Sequence, residues 1–306
     1  MRKAIGFAVL GSLIMFAGIL PAGAQECPTG TNQALITCAQ VQYHGGPVLE
    51  DYTIHPLYFG NWTQDQIDTQ QAFLQNLAAY ISGESAPAGQ QPTVLQYGPR
   101  SATVAAAVWV NKTTAPDDYK STCGSPKDNL FDCDVRKIIS DNQGSGANKV
   151  PEFGPERVIV LLPAPGFTNS TCGCGGYHGS ENDSSFYAII YYATSGGGVY
   201  ADATSYYQAV TSHEIFEDAT DPAVDSFWGW VSVPCKTLAT PCPSPSSDEI
   251  AAGNLDKEIA DQCDTVVTLA NWPGGTLQFA KVVDNTLNGA CTLTGYMPLT
   301  ETAMYV

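Results

Sequence analysis

The sequence predicts an α+β fold, a mixed β-sheet with a metal-site helix packed on it and disulfides stapling the whole. Three observations predict it. Strand-like apolar runs and helix-period stretches interleave along the chain with no internal repeat. Ten cysteines, an even number, suit disulfide bonding in an exported chain. The stretch Thr211–Pro222 (TSHEIFEDATDP) places one imidazole and four carboxylates within ten residues of a helix-period segment.

Residues 1–24 read as a signal peptide. Arg2 and Lys3 form a charged start, Ala4 to Leu20 is apolar, and Ala22-Gly23-Ala24 is a small-residue cleavage site. Residues 25–306 are then a single secreted α+β domain, extracellular or periplasmic, and no later stretch is long and apolar enough to span a bilayer. The formal net charge is −17, from 13 Lys and Arg against 30 Asp and Glu. A surface this acidic disfavours nucleic acid and anionic membranes, leaving an extracellular peptide, protein or cell-wall polymer as the expected partner. Only 14% of residues are charged and there are 29 Gly and 20 Pro, which describes a loop-rich extracellular chain. Asn61, Asn111, Asn169 and Asn182 begin Asn-x-Ser/Thr sites that are modified only in a eukaryotic secretory route.

Strands are predicted at Cys38 to Tyr43 and Tyr52 to Phe59, with a Gly45-Gly46-Pro47 turn between them. Asn61 to Ser82 has the helical spacing of Ile67, Phe73, Leu77 and Ile81, and Gly83 stops it. Further strands are expected at Pro92 to Tyr97 and Ala102 to Val110, then a short helix at Phe131 to Ser140. Arg157 to Pro163 and Phe186 to Ala193 read as buried strands. Between them Cys172 to Ser180 reads as a loop whose glycines let the backbone approach something closely. The C-terminal part alternates enough for strands at Val266 to Leu269, Thr276 to Val283 and Cys291 to Thr294. Neighbour pairing of cysteines (27–38, 123–133, 235–242, 263–291) is the simplest scheme and leaves Cys172 and Cys174, one residue apart, for other partners or for a thiolate metal site.

If Asp202 to Ala219 is helical, Tyr206, Val210, His213 and Glu217 share one stripe, with Glu214 about a third of a turn away. The pattern His213-Glu214-x-x-Glu217 is a variant of the His-Glu-x-x-His helix of zinc hydrolases, in which the residues four apart bind metal and the intervening Glu activates water. His213 and Glu217 are the predicted zinc ligands and Glu214 the general base. A third ligand is sought among Glu258, Asp261, Asp221 and His178, and Tyr177 is a candidate phenol for a reacting oxygen. Calcium is the alternative ion for so many carboxylates, although histidine argues for zinc. His44 and His55 lie in early strands and read as structural.

Taken in order, Tyr43–Leu49 (YHGGPVL), Ile54–Gly60 (IHPLYFG), Gly173–Ser180 (GCGGYHGS), Ser212–Pro222, Gly229-Trp230 and Glu258–Cys263 (EIADQC) resemble the exported phosphate-induced, or EXORDIUM-like, family. The likeness is to microbial members with a His-Glu-x-x-Glu helix and spans roughly Cys38 to Cys291. The resemblance implies an extracellular, cell-wall-associated protein. Plant members have no established catalysis and generally lack the His-Glu pair, so it accommodates two functions: a secreted zinc-dependent hydrolase, most simply a metallopeptidase, or a non-catalytic wall protein with a structural zinc or calcium site. A glycosidase using a carboxylate pair is a third expectation, with no pair singled out by spacing.

Overall fold

The computed structural model describes residues 41–43, 45–84, 91–169, 174–181, 184–192, 202–223, 229–232, 258–263, 266–272, 275–284 and 290–295. The predicted signal peptide, His44 and cysteines 27, 38, 172, 235 and 242 lie outside the described residues. In chain order the elements are β1 (Val41–Tyr43), β2 (Asp51–Phe59), α1 (Gln64–Ile81), β3 (Gln91–Pro92), β4 (Ser101–Val104), β5 (Val108–Val110), β6 (Asn129–Leu130), α2 (Asp132–Asn142), β7 (Arg157–Pro163), β8 (Thr168–Asn169), β9 (Gly176–Ser180), β10 (Phe186–Ile190) and α3 (Ala203–Thr220). After them come β11 (Trp230–Ser232), β12 (Val266–Trp272), β13 (Gly275–Ala280), β14 (Val282–Asp284), β15 (Ala290–Thr292) and β16 (Thr294–Gly295).

The fold is α+β around a mixed six-stranded sheet in the order β4-β2-β7-β10-β9, with β5 continuing beside the second half of β2. Strands β4, β5, β2, β7 and β10 run parallel, and β9 closes one edge antiparallel to β10. The central strands read as unbroken apolar runs because both faces are covered: Val158 to Leu162 and Phe186 to Ile190 are all buried. Helix α1 opens on a capping box, Gln66 N donating to Thr63 Oγ1 and Thr63 N to Gln66 Oε1, and its chain turns away at Gly83, whose φ is +73°. Its apolar stripe meets α3 through a ring cluster of Phe73, Tyr80, Phe216 and Phe279.

Three expectations are corrected. Of the strand expected at Pro92 to Tyr97 only Pro92 is extended, in β3 with Gln91, and Thr93–Tyr97 forms a short 3₁₀ turn that buries Thr93, Val94, Leu95 and Tyr97. The strand at Ala102 to Val110 is broken at 105–107, and its halves pair separately with β2. The glycine-rich loop becomes strand β9 from Gly176 onward. Cys123 and Cys133 form the expected disulfide, and Cys174 and Cys263 are also disulfide-bonded, so Cys174 has no thiolate to offer a metal.

Helix α3 is buried on most of its circumference. Asp202 caps it, accepting from Ser205 N at 2.7 Å. On the side facing β13, Gln208 Oε1 accepts from Gln278 N at 3.0 Å and Ser212 Oγ accepts from Ala280 N at 2.8 Å. Four helical residues rise about 6 Å and two strand residues about 6.8 Å, so acceptors four apart on the helix match amides two apart on the strand.

A second polar knot ties the long connection before α2 to that helix. Buried Asp134 accepts from Ser121 Oγ, Thr122 N, Ser125 Oγ, Tyr119 Oη and Phe131 N, all between 2.7 and 3.2 Å. Burial pushes its carboxyl pKa up, but the hydrogen bonds from Ser121, Phe131, Ser125 and Tyr119 outweigh it and hold the group below the usual carboxylate value. Asp134→Ala strands these donors and is expected to cost about 3 kcal/mol of stability in denaturant unfolding. Because the folded value is depressed, the contribution of Asp134 is complete above its ordinary pKa of 3.8 and is lost as pH falls through the lower folded value. The gap between wild type and variant should therefore close in acid; a gap that is unchanged there would refute this account.

Candidate metal centre

The motif residues sit on the last turns of α3, and two separate devices bring other parts of the chain to them. The first is the pair Gly175-Gly176. A Cβ on Gly176 would lie 2.8 Å from Val210 Cγ1 and 3.0 Å from Glu214 Cγ, and one on Gly175 would overlap the Tyr206 ring. The missing side chains let β9 run flush against α3 and deliver His178 to the helix. Neighbouring strand residues face opposite ways, so Tyr177 points to the far face of the sheet, where its hydroxyl donates to Asp132 Oδ1 at 3.0 Å beside that of Tyr187 at 2.7 Å. Tyr177 is thus not in the cluster, which corrects the expectation of a catalytic phenol at that position.

The second device is the Glu217 carboxylate. Its Oε1 accepts from Ala260 N at 3.2 Å and Asp261 N at 3.0 Å, which anchors the segment 258–263 over the helix. Its Oε2 lies 3.1 Å from His213 Nε2, and Asp261 Oδ1 lies 3.2 Å from the same nitrogen. Glu258 is carried in on the other side, Oε1 3.2 Å from His178 Nε2 but without hydrogen-bond alignment. His178 Nε2 is instead within hydrogen-bond range of the Asp221 carbonyl oxygen at 3.2 Å, and His178 Nδ1 faces Glu214 Oε2 at 3.6 Å. Asp221 closes the helix, its carboxylate accepting from Gly229 N at 2.5 Å.

His178, His213, Glu214, Glu217, Asp221, Glu258 and Asp261 lie near one another around the end of α3. Asp218, an acid of the motif to which the sequence assigns no role, is fully buried, and neither carboxylate oxygen has a hydrogen-bond partner among the described residues. Burial raises its pKa to about 7, with His178 opposing and Glu214 and Asp221 reinforcing the rise. Burial likewise lifts Asp221 to about 6, against the Gly229 amide, and raises Glu217 and Glu258 despite their histidine neighbours. Burial alone would lower both imidazoles, yet the surrounding carboxylates hold His178 and His213 well above the ordinary histidine value. The signs agree: the cluster is short of positive charge.

Comparison of the chain with family models, curated proteins and solved structures finds no match.

The donor set fits a divalent cation. His213 Nε2 lies 3.1 Å from Glu217 Oε2 and 3.2 Å from Asp261 Oδ1, close to the roughly 3.3 Å that tetrahedral zinc sets between ligand atoms, and the three donors lie within 4.8 Å of one another. The His213 and Asp261 side chains are 27% and 43% exposed, so this position opens to solvent, whereas those of His178 and Glu217 are 4% and 3% exposed. Gly176→Ala must push β9 away from α3, costing about 1–3 kcal/mol of stability. It should also weaken zinc binding measured by calorimetry, while Ala at exposed Gly124, where a Cβ meets nothing within 4 Å, should leave zinc binding unchanged.

Proposed function

We propose that the protein is a secreted zinc-dependent hydrolase, most simply a metallopeptidase, with His213, Glu217 and Asp261 as ligands and Glu214 as general base. The observation that carries this reading is the solvent-facing convergence of one imidazole and two carboxylates at zinc spacing, beside a further carboxylate on the same helix. A zinc ion held there supplies Lewis acidity, polarising a carbonyl group and acidifying water. Glu214 has a carboxylate oxygen within 4.8 Å of one on Glu217, and His178 flanks Glu214 Oε2, so its orientation is set before substrate arrives. It takes a proton from the attacking water and returns it to the leaving amine. Two carboxylate ligands leave the ion less positive than two imidazoles would, so the water is a weaker acid and the base matters more.

The second reading is a non-catalytic wall protein of the EXORDIUM-like kind holding calcium. The number of carboxylates around α3 favours it, since calcium takes six to eight oxygen ligands. Elemental mass spectrometry of the purified chain separates the two: zinc content that falls by about one ion per chain in His213→Ala supports the hydrolase site, and calcium in both proteins supports the wall protein. On a fluorogenic peptide library, Glu214→Gln is expected to keep the zinc held by His213, Glu217 and Asp261 and lose about 10²–10⁴ in rate. Hydrolysis that persists in Glu214→Gln would remove Glu214 as the base.

A further inference from the structure

We propose that the chain has a second divalent-cation site, formed by His178 Nδ1, Glu214 and Glu217, which shares Glu217 with the first and takes Glu214 away from proton transfer when it fills. One donor atom from each of these three residues lies within 4.8 Å of the other two, and all three residues are buried. The claim about Glu214 rests on the hydrolase reading; the existence of the site does not.

Hydrogen bonding selects which His178 nitrogen a metal would take. An ion binds the neutral ring, and because Nε2 faces the Asp221 carbonyl oxygen at 3.2 Å, an acceptor, the remaining proton stays on Nε2. The lone pair is then on Nδ1, which faces Glu214. The Asp221 carbonyl oxygen thus orients the ring as a backing acceptor does for a metal-bound imidazole, and Glu258, 3.2 Å from Nε2, adds negative charge beside it. His213 and His178 each have a ring nitrogen within 4.8 Å of a Glu217 oxygen.

Asp218 supplies an independent observation. It is 0% exposed, both oxygens lack a hydrogen-bond partner among the described residues, and it lies within electrostatic reach of His178 and Glu214. A carboxylate ionised in this state is stabilised by a cation nearby. With one ion at His213, the carboxylates of Glu214, Asp218, Asp221 and Glu258 have no Lys or Arg in ion-pair contact among the described residues, and His178 is what meets Glu214 and Glu258. A carboxylate shared between ions about 3.5–4 Å apart is an established way to seat two such charges.

The chain stripped with chelator, reloaded with zinc and desalted is expected to hold about two ions by elemental mass spectrometry, falling to about one in His178→Gln and about one in His213→Gln. One ion in the wild type that persists in His178→Gln overturns the second site and leaves the hydrolase reading standing. One ion lost in both variants means a single shared ion and also overturns it. No ion overturns both readings. Because a buried His178 variant can fail to fold, cobalt titration of the unmodified protein gives a second measurement: absorption bands that grow and change shape up to about two equivalents support the site, and saturation at one refutes it. Peptide hydrolysis by the unmodified protein should fall at least tenfold as the second equivalent fills; an undiminished rate would show that Glu214 is not engaged.

Discussion

Glu217 divides its two oxygens between different tasks, and the site depends on that division. One oxygen takes backbone amides of residues 260 and 261 and so holds down a segment more than forty residues later in sequence. The other faces His213. A buried carboxylate this far from water is stable only if both oxygens are satisfied by donors or by positive charge, which requires the later segment to be in place and the imidazole or an ion to be present. Folding of the 258–263 segment and assembly of the ligand set are therefore one event, because the same side chain does both.

Much of this arrangement was legible in the sequence. The 3.6-residue period placed His213 and Glu217 on one stripe, and α3 spans Ala203–Thr220 where Asp202 to Ala219 was expected. The glycines around His178 signalled a close backbone approach, which the structure shows as β9 lying on α3. What could not be read was the conformation of that approach. Taken as a loop, the segment allowed Tyr177 and His178 to serve the same site; as a strand it sends them to opposite faces, and its pairing with β10 sets Tyr177 opposite Ile189 and His178 opposite Ala188. Asp218 had no distinct signal either, since an acid on an acidic helix end reads as solvated until the packing around it is known. The short turn at Thr93–Tyr97 was missed for a related reason: an apolar run shows burial but not which backbone conformation achieves it.

The charge balance explains the burial pattern. The central sheet spends its apolar surface on both faces, and the carboxylates of α3 sit where the helix meets an edge strand and a short turn, at the margin of the core and not within it. At such a margin one side of the cluster is dry enough to strengthen electrostatics and the other is open enough for exchange with solvent. His213 and His178 mark these two sides.

The contacts between α3 and β13 bear on how such a protein can change over time. Gln208 and Ser212 meet the amides of residues 278 and 280 through a match between helical and strand rise. Inserting or deleting one residue in α3 between Ser212 and Asp221 turns the acids about 100° relative to these anchors. The motif and the C-terminal hairpin are consequently bound to one another through main-chain amides: the spacing of residues in each is constrained by the other and proline is barred at 278 and 280, while the two bonds do not depend on which hairpin side chains stand at those positions.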